Sequence, residues 1–167
     1  MIRTILMLAI GLALTMTAWI GPARASETRE ALRSLCGPRA VRLARQVESA
    51  AALAKIDPVL LVAVGFVEST CNAKARNKRS GAAGFMGILP RGSANPQHLS
   101  DAELLVPETS IRLGAQHLRR CIDLCGEVEG ALSVYNGRRW CRPSAYSRRV
   151  LALWEFAKRK YLEARRS

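Results

Sequence analysis

The sequence DPVLLVAVGFVES occupies residues 57–69. Asp57 is suited to cap a helix and Pro58 to occupy its first turn, where the missing N–H of proline costs nothing. The run that follows is apolar on nearly all sides, so the predicted helix is central and buried. Glu68 lies one turn beyond Val64 on the same face. The pattern therefore predicts a buried helix that carries a carboxyl group near its C-terminal end.

On both sides of this helix the apolar residues recur mainly with helical period, and the alternation of β-branched residues typical of strands is nearly absent. The other predicted helices cover Ser26 to Leu35, Pro38 through Ala51, about Pro107 to Leu124, Glu127 to Tyr135 and Ser144 to Ala164. From Thr70 to Pro90 the helical period fails and glycines accumulate, which predicts a glycine-rich loop or small hairpin beside the central helix. No internal repeat or long linker is present, so we expect one mainly α domain.

The first 25 residues have the pattern of an export signal. Arg3 provides a positive start, Thr4 to Ile20 contains no charged residue, and Ala23-Arg24-Ala25 offers small residues at the alternate positions that signal peptidase recognises. We therefore expect cleavage before Ser26 and export to the periplasm or the extracellular space. An uncleaved membrane anchor is the alternative, because the run is about as long as the shortest spanning helix.

The charge of the chain narrows the choice of partner. There are 26 Lys and Arg residues against 13 Asp and Glu residues, which gives a formal net charge of +13. Such a chain attracts anions. An exported protein seldom meets nucleic acid, so the carboxylates of the bacterial wall are the favoured partner. A nucleic-acid-binding protein stays as an alternative that rests on charge alone.

The five cysteines, at positions 36, 71, 121, 125 and 141, fit an oxidising compartment and predict disulfides, with one thiol unpaired in a monomer. We predict a bond between Cys125 and Cys141, because the two flank the helix at 127–135 and would tie its outgoing loop to its start. A bridge from Cys121 to Cys125 within one regular helix is geometrically awkward, although other pairings stay open. A zinc site explains the cysteines less well, since there is no CxxC pair and the histidines are His98 and His117 alone.

Glu68 has the environment of a general acid. A carboxyl at the end of an apolar helix is costly to ionise, because desolvation disfavours the charged form and raises the pKa. Glycoside cleavage needs a carboxyl that is protonated near neutral pH and can deliver its proton to the leaving oxygen. A lone glutamate at a helix end is more often a solvated terminus or a salt-bridge partner, so the surrounding motifs decide between these interpretations.

Those motifs are Glu68-Ser69, the segment GAAGFMGILP at 81–90, Val134-Tyr135-Asn136 and YSRRVL at 146–151. In this order and at these separations the chain resembles the lytic transglycosylase catalytic domain of the soluble-transglycosylase, goose-lysozyme-like group, over about residues 53–155. The resemblance implies a mainly α, lysozyme-like (α+β) fold. The organisation expected from all these observations is a signal peptide at 1–25, a helical segment at 26–52 that packs on the domain, and the transglycosylase domain at 53–164.

The resemblance also implies an activity, with Glu68 as the catalytic residue. Glu68 is expected to protonate the β-1,4 glycosidic oxygen between N-acetylmuramic acid and N-acetylglucosamine, and then to take the proton of the muramyl 6-hydroxyl, giving a 1,6-anhydro product. The expected partner is the glycan strand of peptidoglycan, bound by a monomer, with no nucleic acid, metal or organic cofactor. A secretion or conjugation apparatus stays open as a further partner, as does the biological role.

The residues expected to bind substrate are Ser69, Gly84, Phe85, Met86, Tyr135, Asn136 and Tyr146. The glycines of the loop permit close approach of the backbone to a sugar, and Phe85 and Met86 can wall the site, although core packing is an equal alternative for Met86. We expect the Tyr135 hydroxyl to lie beside the Glu68 carboxyl. The exposed basic segment Lys74, Arg76, Lys78 and Arg79 is an additional candidate for binding wall carboxylates.

Departures from the family pattern and the presence of further acids keep other functions open. Gly87 stands where the family usually has Gln, and Leu89 where it has Met, which leaves a non-catalytic wall-binding module as one alternative. A hydrolytic muramidase is another, and it would need a second carboxylate; Asp101, Glu103 and Glu108 are available. A serine hydrolase built on Ser69 is disfavoured, because the two histidines are predicted in a loop and on a helix surface rather than in an activating motif.

Overall fold

The computed structural model describes residues 22–166, and the apolar run from Thr4 to Ile20 that predicts an export signal lies outside the described residues. The elements are α1 (Pro22–Cys36), a 3-10 helix (Pro38–Leu43), α2 (Ala44–Ala54), α3 (Pro58–Ser69), α4 (Asp101–Leu104), α5 (Pro107–Cys125), α6 (Val128–Tyr135) and α7 (Ala145–Ala164). Between residues 22 and 166 the only β pairing consists of isolated antiparallel bridges from Ala83 to Arg76 and to Ile88. The predicted mainly α, lysozyme-like fold is confirmed, and the glycine-rich segment is a loop with minimal hairpin pairing.

Helix α3 is the centre of the fold, as its sequence predicts. The Asp57 carboxylate accepts a hydrogen bond from the Val59 amide at 2.8 Å, which caps the helix with Pro58 in its first turn. Every residue from Pro58 to Gly65 is buried. Helices α1, α2 and α7 pack around α3, and the Trp154 indole of α7 donates to the other oxygen of Asp57 at 3.0 Å. The start of α3 is therefore fixed both by its cap and by α7.

Helix α5 forms the second wall of the core. Its buried residues recur at helical spacing, from Ser110 and Ile111 to Cys121, and α2 and α6 pack against it. It ends at Cys125 and is capped by Gly126, whose φ of +74° is a conformation that glycine adopts without steric cost. Helices α3 and α5 thus enclose the glycine-rich loop between them.

Two disulfides are present, and the predicted bond between Cys125 and Cys141 is confirmed. It closes a loop around α6, for which the chain-entropy estimate is about 3 kcal/mol. The second bond joins Cys36, at the end of α1, to Cys71, just beyond α3. Cys121 is the free thiol among the described residues, and it is buried.

Three local features differ from the sequence prediction, the first being that α1 begins at Pro22 rather than at Ser26. The segment Pro38–Leu43 forms a 3-10 helix and α-helical geometry begins only at Ala44. The sequence does not predict helix α4, because four residues cannot show a helical period. This helix is held by a capping box in which Ser100 and Glu103 bond to each other's backbone.

Within residues 22–166, no single helix has the length and apolar character needed to cross a membrane. The segments Pro38–Ala54 and Pro58–Ser69 pass that test together by length and composition, but they are bent by 116° at the break between them.

Candidate active site

Glu68 lies in the last turn of α3 with its carboxyl half-buried. The Tyr146 hydroxyl, from the first turn of α7, donates a hydrogen bond to Glu68 Oε1 at 2.5 Å. Burial raises the pKa of Glu68 above its ordinary value, and the hydrogen bond from Tyr146 opposes this rise because it stabilises the carboxylate. The same burial, together with the Glu68 charge, raises the pKa of Tyr146, so its hydroxyl keeps its proton and acts as a donor.

The glycine-rich loop is anchored on α3 by side-chain packing and by one serine. The Phe85 ring fills the space that a Cβ atom on Gly65 would need, so only glycine fits at this position, and Phe85 itself is fully buried. The Ser69 hydroxyl bridges the two segments, with its oxygen 3.0 Å from the Gly65 carbonyl and 2.8 Å from the Phe85 carbonyl. Met86 is fully buried against Gly114 of α5. These contacts hold the loop in a fixed position relative to Glu68.

Two positive-φ glycines adapt this loop to its surroundings. Gly84 has a φ of +78°, and a side chain there would meet the Leu104 carbonyl and Ser110. Gly87 has a φ of +60°, and a Cβ atom there would stand 2.5 Å from Glu68 Oε2. Gly87, which stands where the family usually has Gln, therefore lies directly against the Glu68 carboxyl. Any side chain at position 87 would compete with that carboxyl for space.

A cleft of about 310 Å³ opens beside Glu68. Its walls come from α3, the loop, α5 and the end of α6, and its lining residues are Glu68, Ser80, Ala82, Gly87, Ile88, Leu89, Gly92, Ser93, Ala94, His117, Val134, Tyr135, Asn136 and Gly137. Among these lining residues Glu68 is the only acid. The cleft thus presents one carboxyl group among small, apolar and neutral polar side chains.

Tyr135 lines the cleft, but its hydroxyl bonds to the loop rather than to Glu68. It donates to the Met86 carbonyl at 2.9 Å, and its ring contacts the His117 ring with centroids 5.1 Å apart. Burial, followed by the charge of Glu68, raises the pKa of Tyr135. The hydrogen bond to the Glu68 carboxyl therefore comes from Tyr146, whereas the Tyr135 hydroxyl bonds to the loop and lies close enough to be influenced by the Glu68 charge.

The structure divides the predicted site residues into two groups. Glu68, Tyr135 and Asn136 line the cleft, and Tyr146 contacts Glu68 directly. Ser69, Gly84, Phe85 and Met86 do not line it; they support the loop through the packing and hydrogen bonds described above.

His117 was predicted on a helix surface but lies half-buried in the cleft wall. Burial lowers the pKa of its imidazole, as does the nearby Arg120 guanidinium, so the ring is neutral at neutral pH. A sequence signal for this placement does exist, because His117 continues the three- and four-residue spacing of the buried positions Ser110, Gly114 and Cys121.

The candidates for a second catalytic carboxylate are all engaged or placed elsewhere. Asp101 forms an ion pair with Arg76. Arg76 is therefore paired within the protein, unlike an arginine that is free to bind wall carboxylates. Glu103 belongs to the capping box of α4, and Glu108 lines a separate small pocket beside Arg112. No group of three or more potential metal ligands occurs within residues 22–166.

Comparison with known families gives one match. The family described as "Transglycosylase SLT domain" matches residues 45–146, a segment that contains Glu68, the glycine-rich loop, Tyr135 and Tyr146. No curated protein and no solved structure matches the chain at a significant level.

Proposed function

This chain belongs to the family of transglycosylase SLT domains, and from that premise we propose that it is a peptidoglycan lytic transglycosylase with Glu68 as acid and then base. The bond cleaved is the β-1,4 link between N-acetylmuramic acid and N-acetylglucosamine. The substrate lies in the cleft beside Glu68, in contact with Tyr135 and Asn136. Like other members of the family, the protein acts on the cell wall, and its two disulfides suit a compartment outside the cytoplasm.

In the first step Glu68 transfers its proton to the glycosidic oxygen as the bond from that oxygen to the muramyl anomeric carbon breaks. The half-buried setting of the carboxyl favours the protonated starting form. In the second step the Glu68 carboxylate takes the proton of the muramyl 6-hydroxyl, and O6 bonds to the anomeric carbon. The enzyme regains its proton and no water is consumed.

Tyr146 has a positioning role in this scheme. Its hydroxyl holds Oε1 of Glu68 at 2.5 Å, which leaves Oε2 on the side of Gly87, a residue of the cleft wall. Because the same hydrogen bond stabilises the carboxylate, it supports Glu68 in the interval between its action as acid and its action as base.

The observation that carries the proposal is the single carboxyl group among the residues that line the cleft. Hydrolytic glycosidases generally pair two carboxyl groups about 5 to 9.5 Å apart, one of which activates water or forms a covalent intermediate. With Asp101, Glu103 and Glu108 placed elsewhere, an internal hydroxyl of the substrate is the better nucleophile. The intact Glu68 site argues against a purely wall-binding module.

The test is cleavage of purified peptidoglycan with product analysis by mass spectrometry. The wild type should release 1,6-anhydromuropeptides, each one water lighter than the product of a hydrolase. Glu68→Gln keeps the size of the side chain but removes the proton, so activity should fall by about 10²- to 10⁴-fold with the fold intact. Glu48→Gln is the matched control, since Glu48 is also half-buried with a raised pKa but lies on α2 and does not line the cleft.

Two results would redirect the proposal. Release of reducing-end muramyl sugars alone would identify a hydrolytic muramidase. Equal activity of the wild type and Glu68→Gln would remove Glu68 from the mechanism.

A further inference from the structure

The segment that leaves the cleft at Gly137 is unusually basic and aromatic for a short connection. Residues 137–143 read GRRWCRP and join α6 to α7; we call them the Arg-Trp loop. Gly137 lines the cleft, and the side chains of Arg138, Arg139, Trp140 and Arg142 are all exposed, with Trp140 73% exposed. A fully presented indole beside three guanidinium groups is a costly surface to leave facing water, and such surfaces mark binding sites.

The Arg-Trp loop is held in one place although its side chains are free. The disulfide from Cys141 ties it to the end of α5, and the Arg138 amide donates to the Ser133 carbonyl at 3.0 Å. The backbone of Cys141 also packs against Gly130, where a Cβ atom would stand 2.8 Å from the Cys141 carbonyl carbon. A loop fixed in this way loses little conformational entropy when it binds a ligand.

The positive charges of the loop are not used within the protein. Among residues 22–166, the ion pairs and side-chain hydrogen bonds involve other residues and none of Arg138, Arg139 and Arg142. Ser80 also lines the cleft, and the two residues before it, Lys78 and Arg79, are exposed cations. The cleft therefore has one internal acid and unpaired cations at its margins.

From this arrangement we propose that the Arg-Trp loop binds the carboxylates of the peptide stems carried by muramic acid, so that the enzyme prefers stem-bearing glycan strands to strands stripped of peptide. This inference rests on the proposed function, because it assumes a glycan strand in the cleft. The Cα atoms of Arg138 and Arg139 lie within about 8 Å of the cleft wall at Gly137, since consecutive Cα atoms are 3.8 Å apart. Guanidinium groups bind carboxylates in paired hydrogen bonds, and Trp140 offers a flat apolar face to the stem.

An anionic membrane is the competing partner for a surface with arginine and tryptophan. Membrane-surface binding relies on a broad apolar face. Next to the disulfide between Cys125 and Cys141, the large exposed apolar side chains are those of Trp140 and Leu124, which is a small apolar surface. The continuity of the Arg-Trp loop with the cleft favours the peptide stem.

The test compares binding of two ligands in a Glu68→Gln background, in which cleavage is slowed enough for binding to be measured first. The ligands are fluorescently labelled, uncrosslinked glycan strands with their peptide stems, and the same strands after treatment with a muramoyl-alanine amidase. Fluorescence anisotropy gives the Kd for each. The double variant Arg138→Ala/Arg139→Ala should weaken binding of stem-bearing strands by about 5- to 10-fold and of stripped strands by less than about twofold.

The matched control is Arg159→Ala/Arg166→Ala, which removes the same charge from the far end of the molecule. Arg159 lies on α7, 13 residues and about 20 Å along the helix axis from Tyr146, and Arg166 lies beyond the end of α7. This control should leave both Kd values unchanged, and Trp140→Ala should weaken binding of stem-bearing strands with the charge retained. The selective loss should shrink in 0.5 M salt, as expected for exposed charge pairs.

Three outcomes would overturn the proposal: equal weakening for both ligands, no weakening for either, or a loss confined to sedimentation with anionic phospholipid vesicles. Cleavage of stripped strands by the active enzyme is measured separately. Anhydro products there, combined with unchanged binding by the Arg-Trp loop variants, would reject this inference while leaving the proposed function in place.

Discussion

Replacement of Gly87 by alanine should inactivate the enzyme through the position of one carboxyl group. The new Cβ would stand 2.5 Å from Glu68 Oε2, whereas ordinary contacts begin at 3.4 Å. The carboxyl must therefore shift by about 1 Å, and a misplacement of that size costs on the order of 10²-fold in rate. Because Oε2 is the far end of a flexible side chain, the shift itself adds little to the cost in stability.

The stability cost should come from the backbone instead. At a φ of +60° an alanine is strained by about 1 kcal/mol relative to glycine, which corresponds to roughly 3 °C in Tm for a chain of this size. Gly126→Ala is the matched control, since Gly126 has a φ of +74° and no atom within 4 Å of its ideal Cβ. The two variants should lose similar stability by thermal unfolding, but only Gly87→Ala should lose activity in a peptidoglycan turbidity assay.

The Gly87→Gln variant tests the same contact with the residue that the family usually carries at this position. Its activity should fall at least as far as that of Gly87→Ala. Wild-type activity in either variant would show that the Glu68 carboxyl does not need its present position, and the argument from this contact would then be wrong.

Three further predictions concern the same chain. Tyr146→Phe removes the hydrogen bond that stabilises the Glu68 carboxylate, so the alkaline limb of the pH profile of kcat/KM should move to higher pH, and an unmoved limb would contradict this. Burial raises the pKa of Glu68 above its ordinary 4.5, so ionisation of Glu68 in the folded protein lowers the stability as pH rises through that raised pKa. Glu68→Gln should therefore match the wild type in Tm near pH 4 and exceed it at neutral and alkaline pH. A difference in Tm that does not change with pH would exclude this linkage. After expression with export machinery, the intact mass should correspond to a chain that begins at Ser26, and retention of residues 1–25 would favour an anchor.

The central helix and the candidate acid were predictable because the sequence states both locally. Asp57 and Pro58 define the start of α3, and the continuous apolar run requires burial whatever packs around it. The bond between Cys125 and Cys141 was predictable for a similar reason, since both residues flank one short helix.

The relative placement of the two tyrosines was not predictable, because it depends on how α6 and α7 pack on α3. Both hydroxyls come from residues at the margins of helices, and no local pattern states which one reaches Glu68 Oε1 and which reaches the Met86 carbonyl. The bond between Cys36 and Cys71 likewise joins residues that only the tertiary fold brings together.

The unpaired Cys121 gives this protein a particular vulnerability during maturation. In the unfolded chain it is a third thiol that competes with Cys125 for Cys141, and thiolate attack would exchange one bond for another. Once α5 packs, Cys121 is 3% exposed and burial raises its pKa, which withdraws the attacking thiolate. Fidelity of pairing thus depends on helix packing preceding oxidation. When both are refolded from the reduced state, the wild type should consequently give more product with scrambled disulfides than the Cys121→Ala variant. The folded wild type should resist this exchange.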